Sequence, residues 1–192
     1  MPVTIGKTLY VNNRKSWRVW LAKNHDREKE IWLIYYRKAT GKQRISYNNA
    51  VEEALCFGWI DSTVKKVDEE RFAQRFSVRN KTSGLSQANK ERIIRLIAQK
   101  KMTPAGLAAV AHVFQPAALK EEKIVIAPDI LWPLRADEEA WENFQKMPDV
   151  YKRGRIAYLE SRRRHGQEMF EKSLRHFIKM TAKNKRIGFI RE

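Results

Sequence analysis

SYNNAVEEALCFGWIDSTVKKVDEERFAQRFSVR, residues 46–79, holds one helical period followed by two extended ones. Ser46 stands as an N-cap, Val51, Ala54 and Leu55 recur at helical spacing, and Gly58 supplies a left-handed exit. Residues 59–67 and 71–79 then read as strands joined around Asp68-Glu69-Glu70. On the second strand Phe72, Phe76 and Val78 take one face, while Arg71, Arg75 and Arg79 take the other with Ala73 and Ser77. The three arginines stand four apart, so they form one stripe on a strand and also on a helix.

Towards the N-terminus, Asn13 caps a helix whose Trp17, Trp20 and Leu21 form an apolar stripe. Residues 31–36, IWLIYY, are apolar on both faces and read as a central strand, followed by a turn at Thr40-Gly41-Lys42. Towards the C-terminus, residues 80–84 form a loop. Ser86 opens a helix to about Lys101, with Ile93, Ile94 and Ile97 along one side. Thr103-Pro104 restarts a helix that runs to about Phe114, an N-cap followed by proline at the first helical position. Pro116, Pro128 and Pro133 mark residues 115–135 as a linker, with a short extended piece at Ile124-Val125-Ile126. Three further helices follow: one opened by Asp137, with Ala140, Trp141 and Phe144; one opened by Pro148; and a last one from about His165 to Lys183. The last carries Phe170, Leu174, Phe177 and Ile178 on one side, a face that must pack on the main domain or on a second copy.

The fold expected is therefore α+β and helix-rich. A small antiparallel sheet of three to four strands is packed by helices and carries a C-terminal helical extension. The domain layout expected is an α+β core over residues 1–114, the linker over 115–135, and a basic helical extension over 136–192 that packs on the core.

Apolar residues at 43% against 32% charged describe a folded chain rather than a disordered one. Cys56 is the sole cysteine and forms no internal disulfide. The first residues lack the apolar core of a secretion signal, and no apolar run approaches a bilayer span, so a cytoplasmic protein with no membrane span is expected. The net charge of +17 is concentrated away from residues 120–149 and fits two readings, a polyanionic partner (nucleic acid or an anionic lipid surface) or charge that only keeps the protein soluble.

Several chemistries lack a signature. The histidines at 25, 112, 165 and 176 form no HExxH pattern, there is no CxxC, and no glycine-rich phosphate loop occurs, so neither metal nor cofactor is expected. Cys56 lies at the C-terminal end of its helix, where the dipole disfavours a thiolate, and reads as a buried structural residue. Glu52 and Glu53 read as a solvated helix face.

The motifs AVEEALCFGWI at residues 50–60, Asp61-Ser62, Trp17-x-x-Trp20-Leu21, Arg75-Phe76-Ser77-x-Arg79 and KMTPAGL at residues 101–107 stand in one order. In these motifs residues 10–112 resemble the YdeI/OmpD-associated (bacteriocin-protection) family. That family carries Ala-Lys and Thr-Arg patterns near its C-terminus, where this chain has ESRRRH at residues 160–165 and Met169-Phe170. The resemblance implies a YjbR/frataxin-like core, and a stress or bacteriocin and cationic-peptide protection role to which no reaction is attached.

The leading expectation is a non-enzymatic binding module for an anionic partner. Arg71, Arg75 and Arg79 beside Trp32, Tyr36 and Trp59 have the cation-plus-aromatic composition of a single-stranded nucleic-acid platform or anionic cleft. Arg162, Arg163 and Arg164, with Lys183, Lys185 and Arg186, would add phosphate contacts without sequence preference, or else stand as a solvated helix face. The competing expectation keeps those aromatics in the core and pairs the arginines with Glu69, Glu70 or Glu91. The alternative function is a small-ligand site or enzyme cleft at the FGWID segment, built from Trp59, Asp61 and Arg75. A homo-oligomer through the last helix is compatible with both.

Overall fold

A computed structural model describes residues 4–80, 82–112 and 123–188. The chain is α+β, with eight α-helices and one four-stranded mixed sheet among the described residues. It divides into two units. The first comprises residues 1–84 and 93–114, the second residues 85–92 and 115–192.

In the first unit the order is β1 (Thr8–Tyr10), α1 (Arg14–Asn24), β2 (Glu30–Tyr36), α2 (Tyr47–Cys56), β3 (Trp59–Lys66) and β4 (Arg71–Val78). Helix α3 (Gln87–Ala98) follows, with the division between the units passing through it, and then α4 (Pro104–Ala108). The sheet runs β1-β2-β4-β3, with the last three strands antiparallel and β1 parallel to β2 at the edge. The parallel strand is a departure from the antiparallel sheet expected; three residues are too few to display an alternation.

Local signals place the helix starts. Asn13 Oδ1 accepts from Ser16 N at 2.9 Å, Ser46 Oγ from Asn49 N at 3.3 Å, and Thr103 Oγ1 from Gly106 N at 3.2 Å. The β3–β4 turn is held by Asp68, whose Oδ1 accepts from the amides of Glu70 and Arg71 at 3.0 and 2.7 Å. Helix α4 ends at Ala108, sooner than expected, and Phe114 lies outside the described residues.

Register places Ile31, Leu33 and Tyr35 on one sheet face with Phe72, Gln74 and Phe76. Trp17 of α1 lies edge-on to Phe76 at 5.5 Å and stacks on Trp20 at 5.2 Å, while its Nε1 donates to Ala50 O at 3.0 Å. Burial of each such aromatic contributes about 2–3 kcal/mol.

From Ala50 to Cys56 helix α2 is buried all round, including its two acids: Glu52 is 3% and Glu53 2% exposed. The solvated face expected for them is wrong, because arginines from neighbouring helices cover it. Arg14 reaches both carboxylates, at 2.8 Å to Glu52; Arg18 reaches Glu53 at 2.6 Å; and Arg95 reaches Glu52 at 2.5 Å. Arg18 also donates to Lys101 O at 3.0 Å.

The end of α2 is closed by α4. Thr103 donates to Cys56 O through its amide at 3.0 Å and its hydroxyl at 2.6 Å. A Cβ at Gly106 would sit 2.1 Å from Cys56 O, and one at Gly58 (φ +76°) would sit 2.8 Å from Ala109 Cβ. The glycines of the FGWID and TPAGL segments thus serve one contact between helices.

The second unit contains α5 (Pro128–Ala136), α6 (Glu138–Lys146), α7 (Asp149–Arg162) and α8 (Gln167–Ala182). Helix α5 occupies the end of the stretch read as a linker: Pro128 opens it, Pro133 lies inside it, and Ile130 and Leu134 are fully buried. Residues 115–122 of that stretch lie outside the described residues, and residues 124–126 are not a strand. Asp137 caps α6, accepting from Ala140 N at 3.0 Å. Phe170, Leu174 and Phe177 of α8 are buried with Ile130, Phe144, Tyr151 and Leu159, so the helical extension has a core of its own. Glu91 pairs with Arg153 at 2.5 Å inside this unit.

Two substitutions test these contacts. Gly106→Ala is expected to cost about 3 kcal/mol of stability in urea unfolding, against less than about 0.5 kcal/mol for Gly84→Ala, which meets nothing within 4 Å. Glu53→Gln leaves Arg14 and Arg18 without that carboxylate and is expected to cost about 3 kcal/mol in the same measurement.

Candidate functional site

The second face of the sheet gathers four of the residues expected at a site. Tyr36 of β2 stands opposite Arg71 of β4, and Trp32 opposite Arg75. Tyr10 joins them from β1, its ring edge-on to Tyr36 at 5.3 Å. Lys42 lies over the Tyr36 ring, with Nζ 4.3 Å from the centroid. Tyr10 is 45% exposed, and Arg37, Lys38 and Lys42 beside the strand end are exposed too. Tyr10 and Lys42 were missed from sequence: one sits in a strand too short to recognise, the other in a turn.

The arginines of this face have carboxylate partners, though not the expected ones. Arg71 donates from Nε to Asp68 Oδ2 at 2.7 Å, and Arg75 from Nε to Glu30 Oε2 at 2.8 Å. These guanidinium hydrogen bonds hold both carboxyls below the ordinary range. Glu91, offered as a partner for the stripe, is committed to Arg153.

Three of the expected residues leave this surface. Trp32 is fully buried although it shares the face. Trp59 is core: its ring lies edge-on to Trp20 at 5.9 Å and its Nε1 donates to His25 O at 3.1 Å. Arg79 lies beyond β4 and is buried, with Nη2 donating to Ser83 O at 2.5 Å and Gly84 O at 2.7 Å. Burial lowers its pKa, and its role is to close the loop that follows the strand.

The cleft expected from Trp59, Asp61 and Arg75 is not assembled. Asp61 stands opposite Phe76, on the helix-covered face, where its Oδ2 accepts from Tyr47 Oη and Gln74 Nε2, each at 2.9 Å. Arg75 instead turns towards Ser62 Oγ at 3.5 Å, on the other face. A bulge between Asp61 and Val64 separates the two directions along β3. The buried Tyr35 hydroxyl has no hydrogen-bond partner, and burial, then the Asp61 charge, raises its pKa.

In the second unit the expected basic cluster separates into different roles. Arg163 grips Asp129 through two bonds of 2.7 and 2.9 Å, meets Glu160 at 2.6 Å and covers the Phe170 ring at 4.1 Å, so it holds the unit together. Arg164, Lys183, Lys185 and Arg186 are exposed, and Arg162 is half-buried beside Tyr158.

No group of three or more His, Cys, Asp or Glu suited to a metal ion occurs among the described residues. Among them, no helix is long and apolar enough to cross a membrane. Cys56 is buried and free, and burial, then the neighbouring Glu53, pushes its thiol up to about 11.

These features define a helix-rich α+β protein whose sheet presents a basic, tyrosine-bearing end. The chain belongs to the family described as Domain of unknown function (DUF8412), whose model matches residues 9–109, more than half of the sequence and the span from β1 to the close of α4. Neither the search of curated proteins nor that of solved structures returned a match.

The thiol leads to a direct check. At pH 8 Cys56 is expected to resist an aromatic disulfide reagent in the folded protein and to react within minutes in denaturant. Rapid labelling of the native chain would contradict its burial.

Proposed function

We propose that this chain is a non-enzymatic protein that binds single-stranded nucleic acid through the Tyr10–Tyr36 end of its sheet. The observation that carries the reading is the tyrosine pair, Tyr10 exposed and Tyr36 half-buried, with Lys42 over the Tyr36 ring and Arg71 opposite Tyr36 in register. Aromatic π-faces accept any base, and adjacent cations accept the phosphates between bases. The net charge of +17 supports long-range attraction of a polyanion. Arg71 and Arg75, already bonded to carboxylates, act by orienting the surface more than by adding charge.

The resemblance of residues 10–112 to the YdeI/OmpD-associated family supports placing this binding in a cytoplasmic stress or bacteriocin-protection role. Arg164, Lys183 and Lys185 supply further phosphate contacts in the same reading.

Fluorescence anisotropy with labelled oligothymidine, duplex DNA and anionic vesicles across a salt series tests the proposal. Tighter binding to the single strand is expected, weakening steeply with salt. Tyr10→Ala with Tyr36→Ala is expected to reduce affinity about tenfold or more, since each stacked base contributes about 1–3 kcal/mol. Lys42→Gln is expected to flatten the salt slope by about 0.7. Equal affinity of the tyrosine variant and the parent, or binding to vesicles alone, would defeat the reading.

A further inference from the structure

The arginines of the second unit divide by partner. Arg153 has Glu91, and Arg163 has Asp129 and Glu160. Arg155, on the same helix α7, has no carboxylate partner among the described residues, although it is only 6% exposed. Its Nε has no hydrogen-bond partner. Its Cζ lies 4.4 Å from the Tyr158 ring centroid and 5.7 Å from that of Phe177. Ring contacts soften the burial of a cation but do not neutralise it. Burial lowers the pKa of Arg155, yet a guanidinium stays charged at any working pH.

Arg162 lies two helical turns further on and repeats the pattern. Its Nε is buried without a partner, and its Cζ stands 5.8 Å from the same Tyr158 ring. Tyr158, whose ring both guanidinium groups approach, is 42% exposed. The chain passes Arg155 at Gly188, where an added Cβ would lie 3.0 Å from Nη1, so a side chain at that position would crowd the guanidinium.

We propose that Arg155 and Arg162, both lying against the Tyr158 ring, form a binding site for a dianionic phosphate group. Planar guanidinium forks match the oxygens of a tetrahedral anion, and such an ion supplies the negative charge and acceptors that these two guanidinium groups lack. The site lies within the second unit and does not rest on nucleic-acid binding by the sheet.

Calorimetric titration of the full chain with inorganic phosphate, and separately with glycerol phosphate, at constant ionic strength tests this, with chloride as the reference. Saturable binding of one equivalent is expected. It should weaken at least tenfold in Arg162→Gln and remain unchanged in Lys15→Gln, an exposed residue of α1. Equal binding of both compounds upholds a site for phosphate as such, and preference for the ester upholds a site for a phosphorylated molecule. Absence of saturable binding to either, or equal binding by Arg162→Gln, overturns the proposal. Arg155→Met gives a second readout: phosphate raises the Tm of the parent chain and not of this variant, and an equal rise in both would also overturn it.

Discussion

Two neighbouring carboxylates, Glu52 and Glu53, are buried on one helix and held by three arginines from two others. Consecutive residues of a helix point about 100° apart, so the two acids reach different neighbours. Glu52 faces Arg14 and Arg95, while Glu53 faces Arg14 and Arg18. Burying a carboxylate costs several kcal/mol unless its charge is met, and this set meets it. The relative placement of α1, α2 and the second half of α3 is thereby constrained by charge as well as by apolar packing. Trp17 depends on the same placement, because its indole bonds the α2 backbone while its ring packs on β4.

That arrangement leaves the sheet with unlike faces. One is covered by Trp17 and its neighbours; the other carries Glu30, Arg75 and Arg71, and at its end the tyrosines and Lys42. Many of the acids lie in local pairs, at Glu28, Glu30, Asp68 and Glu69 in this unit and at Glu91, Asp129 and Glu160 in the other. The excess of cations consequently stands outside such pairs. A strongly basic composition becomes a binding property only through this partition, which composition alone does not contain.

The second unit shows the same partition more sharply. Its apolar face along α8 is satisfied by the unit's own helices, with Phe144 edge-on to Phe177 at 6.0 Å. Arg163 bridges α5 and the end of α7, whereas Arg155, eight residues earlier and more deeply buried, meets aromatic rings alone. Sequence treated the adjacent arginines 162, 163 and 164 as one cluster, and folding gives each a different environment.

Helix starts at Asn13, Ser46, Thr103 and Asp137, the β3–β4 hairpin and the left-handed Gly58 were legible in the sequence. Each depends on atoms within a few residues, as caps, turns and periodicity do. The α+β class followed from them. Tertiary structure alone decided the rest: that Glu52 and Glu53 are interior, that Trp32 and Trp59 are core, that Asp61 and Arg75 diverge, and that Tyr10 completes a surface with Tyr36. Those outcomes turn on which distant residue arrives opposite, and in a sheet a shift of one residue reverses the face of every side chain. Local chemistry is written along the chain; partners for charge and for rings are chosen only across it.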